Sequence, residues 1–311
     1  LFRLTDKICS LPYPEQVPEY TLATSEFYRF CLKETWDENT PGFVTIGYIL
    51  PSVVERMLWI SSFVVDHDKR IVSIKYAPGE DVETKAISEQ LNLAREKDSF
   101  SILRRWMDEI YRILDISREV RMERAGSALF GIHTVGVHIM AFCRDQEGSM
   151  KLWIPRRAAT KTYPGMLDNT VGGGITVEED QFECMLREAE EEASLPKHVV
   201  KDRAQAVGTI AYFYIRDARA GGETGLLQPS THHLYDLELP TDVVPKPADK
   251  DVEEFYLWTP EETMVALREG KFKPNSAVAW IDFFIRHSYI TAKNEPDYLK
   301  LVSRIHRRIH F

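Results

Sequence analysis

Along the first 125 positions, short apolar runs of strand character alternate with stretches of helical spacing. Residues 20–34 put Phe27, Phe30 and Cys31 at helical intervals, and the polar cluster 37–41 ends that pattern. Residues 42–50 are apolar and β-branched, which predicts a strand, and a short helix is expected over 51–57. The segments 58–65 and 71–76 predict a hairpin about a turn at 66–69. Residues 98–116 carry Ile102, Leu103, Trp106, Ile110, Ile113 and Leu114 on one side, so an amphipathic helix is predicted there.

A charged run at 118–124 gives way to a loop expected at 125–127, and the pattern then changes. Strands are predicted at 135–142 and 150–155 about a turn at 145–149, followed by a loop over 156–169 and a short strand at 170–171. Longer strands follow at 206–215 and 232–239. The stretch 217–230 between them contains Gly221, Gly222 and Gly225 and is expected to be a mobile loop. A strand at 252–258 and helices at 260–269, 276–287 and 295–309 complete the chain. This order predicts two domains. Residues 1–125 form a smaller α+β N-terminal domain, and residues 126–311 an α/β sandwich around a mixed sheet with C-terminal helices.

The net charge of -9 excludes a general nucleic-acid binder, which needs clustered Lys and Arg. Arg104, Arg105, Arg118, Arg121 and Arg124 read as a solvated basic face. The four cysteines, Cys9, Cys31, Cys143 and Cys184, show no CxxC spacing and read as reduced thiols of a cytoplasmic protein. No run of about 18 apolar residues is present, so no membrane partner is expected. The chain starts at Leu1 rather than Met. The native N-terminus is therefore expected to be missing, and organellar targeting stays open.

The densest chemistry follows Gly172, Gly173 and Gly174, read as a glycine loop running into a helix. Thr176 with Glu179 reads as a capping box that starts the helix near Thr176, with Glu178, Glu179 and Asp180 in the first turn. Phe182, Met185, Leu186, Ala189 and Ala193 form its buried stripe, and Pro196 stops it. Glu188, Glu191 and Glu192 are related as i, i+3 and i+4, so their carboxylates converge. Like charges so placed repel by roughly 0.2–0.5 kcal/mol per pair, and a divalent cation among them would relieve it. Oxygen donors of this kind suit Mg²⁺ or Mn²⁺. A solvated acidic face would carry the same charges, and the wider spacing decides between the two.

That spacing is G-x5-E-x7-R-E-x2-E-E, with Gly173, Glu179, Arg187, Glu188, Glu191 and Glu192 at the fixed positions. It resembles the signature of the Nudix hydrolases, except that Ser194 stands where the family usually has glycine. The resemblance implies a Nudix α/β/α sandwich that hydrolyses an organic diphosphate with Mg²⁺ or Mn²⁺. Carried over, Glu188, Glu191 and Glu192 become metal ligands together with the backbone carbonyl of Gly172. Arg187 becomes the guanidinium that fixes the carboxylates, including Glu179. Gly173 and Gly174, with Arg156, Arg157 and Lys161, would meet the substrate. Glu254, beside Glu253, is the candidate general base outside the signature. Of the adjacent His232 and His233, one could face the pocket, although a structural role is the plainer reading.

Three stretches in order, DNTVGGGI, FECMLREAEEEASLP and EEFYLW, resemble the thiamine pyrophosphokinase-related Nudix family of fungi and plants. That resemblance implies hydrolysis of thiamine diphosphate, or its oxo and oxy damaged forms, to the monophosphate and phosphate. Trp153, Tyr163, Tyr212 and Phe213 are candidates to stack on a substrate ring, and the N-terminal domain is expected to cap the substrate. Two alternatives stay open: a nucleoside-diphosphate-linked substrate such as ADP-ribose, and a catalytically silent binding module. The expected partner is a small-molecule diphosphate. The sequence does not speak to the oligomeric state.

Overall fold

A four-stranded sheet and a six-stranded sheet carry the fold. The structure, a computed structural model, describes residues 1, 16, 23–33, 42–75, 79–114, 116–248 and 250–309. Cys9 and the polar cluster 37–41 lie outside the described residues.

In the first sheet β1 (Tyr28–Lys33) pairs antiparallel with β2 (Phe43–Ile49) and parallel with β4 (Ile71–Ile74). β3 (Phe63–Asp66) closes the predicted hairpin with β4, and α1 (Pro51–Arg56) lies where the short helix was expected. The helix expected over 20–34 is strand from Tyr28 onward. Phe30, Cys31 and Leu32 are buried in succession, which suits a strand covered on both faces and not one stripe of a helix. The helix expected over 98–116 is also absent. Ser101–Arg105 forms a 3₁₀ turn, Asp108 takes a left-handed φ of 59°, and β5 (Ile110–Arg112) pairs with β6 (Arg121–Glu123). The long helix of this half is α2 (Val82–Glu96), whose buried stripe mixes Ala86, Ile87, Leu91 and Ala94 with Glu83 and Gln90. Those two polar members masked it in the sequence. Glu83 meets Arg118, and Gln90 bonds the backbone at Leu58 and Ile60.

Where a loop was expected at 125–127, α3 (Arg124–Phe130) is buried from Ala125 to Phe130. The second sheet runs β10–β11–β7–β8–β12, from Ala204–Ile215, Leu227–Glu238, Thr134–Arg144, Met150–Arg157 and Val252–Trp258. β11 is parallel to β7 and the other pairings are antiparallel, so the sheet is mixed as expected. One face packs on α4 (Gln181–Ala193) through Val137, Ile139, Met185 and Ala189. The other packs on α7 (Pro274–Arg286) through Met140, Leu234, Trp280 and Phe284. Burying one such large apolar side chain contributes about 1.5–3 kcal/mol. Short helices α5 (Lys197–Arg203), α6 (Pro260–Arg268) and α8 (Tyr298–Ile305) complete the sandwich.

Two features position the site. β7 pairs with β8 only over Phe142–Arg144, and its first half pairs instead with β9 (Val171–Gly174). The three glycines are therefore strand rather than loop, and in the sheet β9 neighbours β7 alone. The glycine-rich stretch expected to be mobile is also pinned. Glu223 accepts from Ser101 N (2.8 Å), Ile102 N (3.0 Å) and Ser101 Oγ (2.9 Å), and Leu226 enters the core of the first sheet.

Candidate active site

α4 begins one turn later than its sequence suggests. Asp180 is the N-cap and accepts from Phe182 N and Glu183 N, while Glu183 returns a bond to Asp180 N. Half of the expected box survives, since Thr176 N donates to Glu179 Oε1 at 3.2 Å. The same carboxylate is also held by Arg187, with Nε to Oε2 at 2.9 Å and a second nitrogen to Oε1 at 2.7 Å. The bidentate, charge-assisted pair is the stronger of the two and coexists with the bond from Thr176 N. The helix ends at Ser194, which adopts φ 52° and ψ 29°, the conformation that the usual glycine would supply. Pro196 is already the N-cap of α5.

The glycine strand and the carboxylates fit each other closely. A Cβ on Gly173 would overlap the Glu188 carboxylate, so only glycine leaves room for that side chain. Gly172 N donates to Glu192 Oε2 at 2.9 Å. Arg187 reaches both Glu188 Oε1 and Glu191 Oε2 at 3.0 Å. Glu188 is buried, Glu192 half-buried and Glu191 exposed. Burial pushes the Glu188 carboxyl up to about 7 against the pull of Arg187 and Arg124. Burial and the nearby Glu188 push Glu192 up to about 8. Among the described residues no three His, Cys, Asp or Glu side chains stand close enough together to form a metal-binding group. Arg187 and the Gly172 N–H instead share the carboxylates between them.

Residues 133–281 match the NUDIX domain, and residues 28–134 match a domain of unknown function (DUF4743). Nudix hydrolase 20, chloroplastic, of Arabidopsis thaliana is 31% identical over 292 residues, covering 93% of this chain and 68% of that protein. The chain belongs to the Nudix hydrolase family. A Saccharomyces cerevisiae protein named only as uncharacterized is 36% identical over 313 residues, spanning 96% of this chain and 89% of its own. Nudix hydrolase 24, chloroplastic, of Arabidopsis thaliana is 34% identical over 186 residues, or 59% of this chain and 48% of that protein. The protein is thus a Nudix diphosphate hydrolase, of a family that generally uses divalent metals, and its mixed α/β sandwich agrees with that.

In this Nudix hydrolase the basic residues expected to meet substrate are each engaged. Arg156 pairs with Glu253 at 3.2 Å and Glu254 at 3.5 Å across β8 and β12, and Tyr256 also donates to Glu254 at 2.5 Å. Lys161 pairs with Asp251. Arg157 is buried, donating to the Thr162 carbonyl at 2.7 Å and pairing with Asp168. Among the described residues the hydrogen bonds of the motif group run through Arg187 and Gly172, and those of Glu254 through Arg156 and Tyr256. Among the ring candidates, Trp153, Tyr163, Tyr212 and Phe213 are all buried.

Several residues of this region were missed in the sequence. Asp168 accepts from Ser276 and lies 3.7 Å from Lys273; the charges of Lys273 and Arg157 overcome its burial and hold it well below the usual carboxylate range. Burial pushes Lys273 down to about 8. His138 pairs across from Gly172 on β7, with Nδ1 2.8 Å from where a Gly172 Cβ would stand. It stacks on His232 at 4.1 Å, neither ring nitrogen has a hydrogen-bond partner, and burial pushes it down to about 3. Strand alternation could have flagged His138. Nothing local flags Lys273, which α7 brings in from a distant part of the chain.

Proposed function

We propose that this Nudix hydrolase cleaves thiamine diphosphate, or its oxo and oxy forms, to the monophosphate and phosphate. The observation that carries the chemistry is the pair of carboxylates, Glu188 and Glu192, set on two adjacent glycines with raised proton affinity. Carboxylates that burial makes costly to ionise gain from a cation, and an oxygen-only donor set suits Mg²⁺ or Mn²⁺. Glu188, Glu191, Glu192 and the Gly172 carbonyl would hold it. When bound, such an ion neutralises diphosphate oxygens and lowers the pKa of water.

The rest falls to the chain. Arg187 pairs with Glu179, Glu188 and Glu191, so a cation would take over the Glu188 and Glu191 oxygens from that guanidinium while Glu179 keeps it in place. Arg156, Arg157 and Lys161 would meet the phosphates beside Gly173 and Gly174 by exchanging their present partners Glu253, Asp168 and Asp251 for phosphate oxygens. Glu254, oriented by Arg156 and Tyr256, is the proposed acceptor of the water proton. Residues 1–125 would cap the substrate. The thiamine assignment is supported by the three sequence stretches that resemble the thiamine pyrophosphokinase-related family.

Product identification tests it, with thiamine diphosphate, its oxidised forms, ADP-ribose and a dinucleoside polyphosphate offered side by side with Mg²⁺. Fastest release of a thiamine-type monophosphate plus phosphate is expected. Preference for ADP-ribose would keep diphosphate hydrolysis and overturn the thiamine assignment. No turnover of any would favour a silent binding module.

A further inference from the structure

The third glycine of β9 makes room for a side chain of the N-terminal half. A Cβ on Gly174 would overlap the Tyr111 hydroxyl and lie 2.6 Å from the ring carbon that bears it. Tyr111 is on β5, is buried, and belongs to none of the four apolar core clusters. Beside it Val177 N donates to Ile110 O at 2.9 Å, which ties β5 to the chain just past the same glycine. Arg124 pairs with Glu109 at 2.6 Å and lies over the Tyr111 ring at 6.0 Å. The contacts thus run from the Glu109–Arg124 pair through Tyr111 to Gly174, next to the glycine that seats Glu188. Arg124 and Glu109 also both act electrostatically on Glu188.

β9 has only β7 beside it in the sheet and otherwise rests on α4, with Cys184 Sγ donating to Gly174 O at 3.5 Å, so a side chain pressing on Gly174 from β5 bears on how strand and helix meet. We propose that Tyr111, held by the Arg124–Glu109 pair, is a positioning residue of the hydrolase centre that seats β9 so that Gly173 meets Glu188 and Gly172 meets Glu192. The inference rests on the reading of Glu188, Glu191 and Glu192 as the carboxylates that hold the cation. It gives the N-terminal half a part in building the site, whether or not it also caps the substrate. Displacements of about 1 Å at such a centre cost about 100-fold in rate.

The test uses the full chain and reads two quantities, Mn²⁺ affinity by electron paramagnetic resonance and the split of kcat from KM on the fastest-cleaved diphosphate. Tyr111→Ala is expected to weaken Mn²⁺ binding about 10-fold and lower kcat about 100-fold, with KM within about threefold. Tyr111→Phe keeps the ring and should stay within about threefold of the parent in both. Gly174→Ala should be as damaging alone, yet cost less than about threefold when added to Tyr111→Ala, because the overlap is gone. Should Tyr111→Ala not fold, Tyr111→Leu takes its place in the same cycle. Mn²⁺ affinity and kcat within twofold of the parent in a folded Tyr111→Ala or Tyr111→Leu protein would overturn the proposal. So would equal damage from Gly174→Ala in both backgrounds. Glu192→Gln separates the two layers: if it leaves Mn²⁺ binding intact, the carboxylate reading itself fails. If it abolishes binding while Tyr111→Ala does nothing, only the positioning role falls.

Discussion

Ser194 sits at the end of α4 with left-handed backbone angles that an L-residue adopts at a cost of about 1–2 kcal/mol. Glycine would avoid most of that cost, less its own extra freedom in the unfolded chain. Ser194→Gly is therefore expected to raise the unfolding free energy by about 1 kcal/mol in chemical denaturation, with turnover unchanged. A loss of stability instead would mean the serine side chain makes a contact worth more than the strain. The Arg187–Glu191 pair of α4 was legible because helix geometry brings i and i+4 together. What faces each glycine was not. Glu188, Tyr111 and His138 come from an adjacent helix, another half of the chain and the opposite strand, and no local pattern encodes those meetings.

At the scale of elements, strands with strong alternation or continuous apolar runs were legible, β2, β7, β10 and β12 among them. Helical spacing misled where tertiary contacts overruled it. Ile110 and Ile113 fit a helix, but β6 offers a pairing partner and Asp108 turns the chain toward it. The glycine-rich stretch after β10 misled through its composition, which reports freedom and not the anchors that remove it: Glu223, the buried Leu226, and Arg216, which donates to the Ala220 and Gly221 carbonyls. Glu223 accepts from two backbone N–H groups of the 3₁₀ turn, and those bonds overcome burial to hold its carboxyl below the usual range. Glu223→Ala leaves both donors without that partner. It is expected to lower stability by about 2–3 kcal/mol and to speed amide exchange across Ser101–Arg105. Exchange at the parent rate, with stability within about 0.5 kcal/mol, would show that the latch contributes little.

For the whole molecule the burial of the motif carboxylates gives the pH dependence of stability an expected sign. The folded-state pKa values of Glu188 and Glu192 are raised from 4.5 to about 7 and about 8, so the folded protein holds their protons more tightly than the unfolded chain. The resulting destabilisation is absent below the unfolded value, grows as pH rises, and is complete above about pH 8. Asp168 and Asp236, held low by their cationic partners, act oppositely: their contribution is present above the unfolded value and lost in acid. A divalent cation that binds the folded site relieves the first effect. The rise in melting temperature on adding Mg²⁺ is thus expected to be larger at pH 8.5 than at pH 6, by about 3 °C or more. An equal or smaller rise at the higher pH would place the cation away from these carboxylates.

The Tyr111–Gly174 contact has a consequence for how such a chain can diverge. A residue without a side chain at 174 is obligatory only while a ring from elsewhere fills the space beside it. Mutational drift at the two positions is therefore linked: a lineage that replaced the tyrosine with something small would be released to gain a methyl group at 174. One that acquired the methyl first would lose the seat for the tyrosine. Positions 111 and 174 are thus expected to vary together, although only the second lies in a recognisable hydrolase motif.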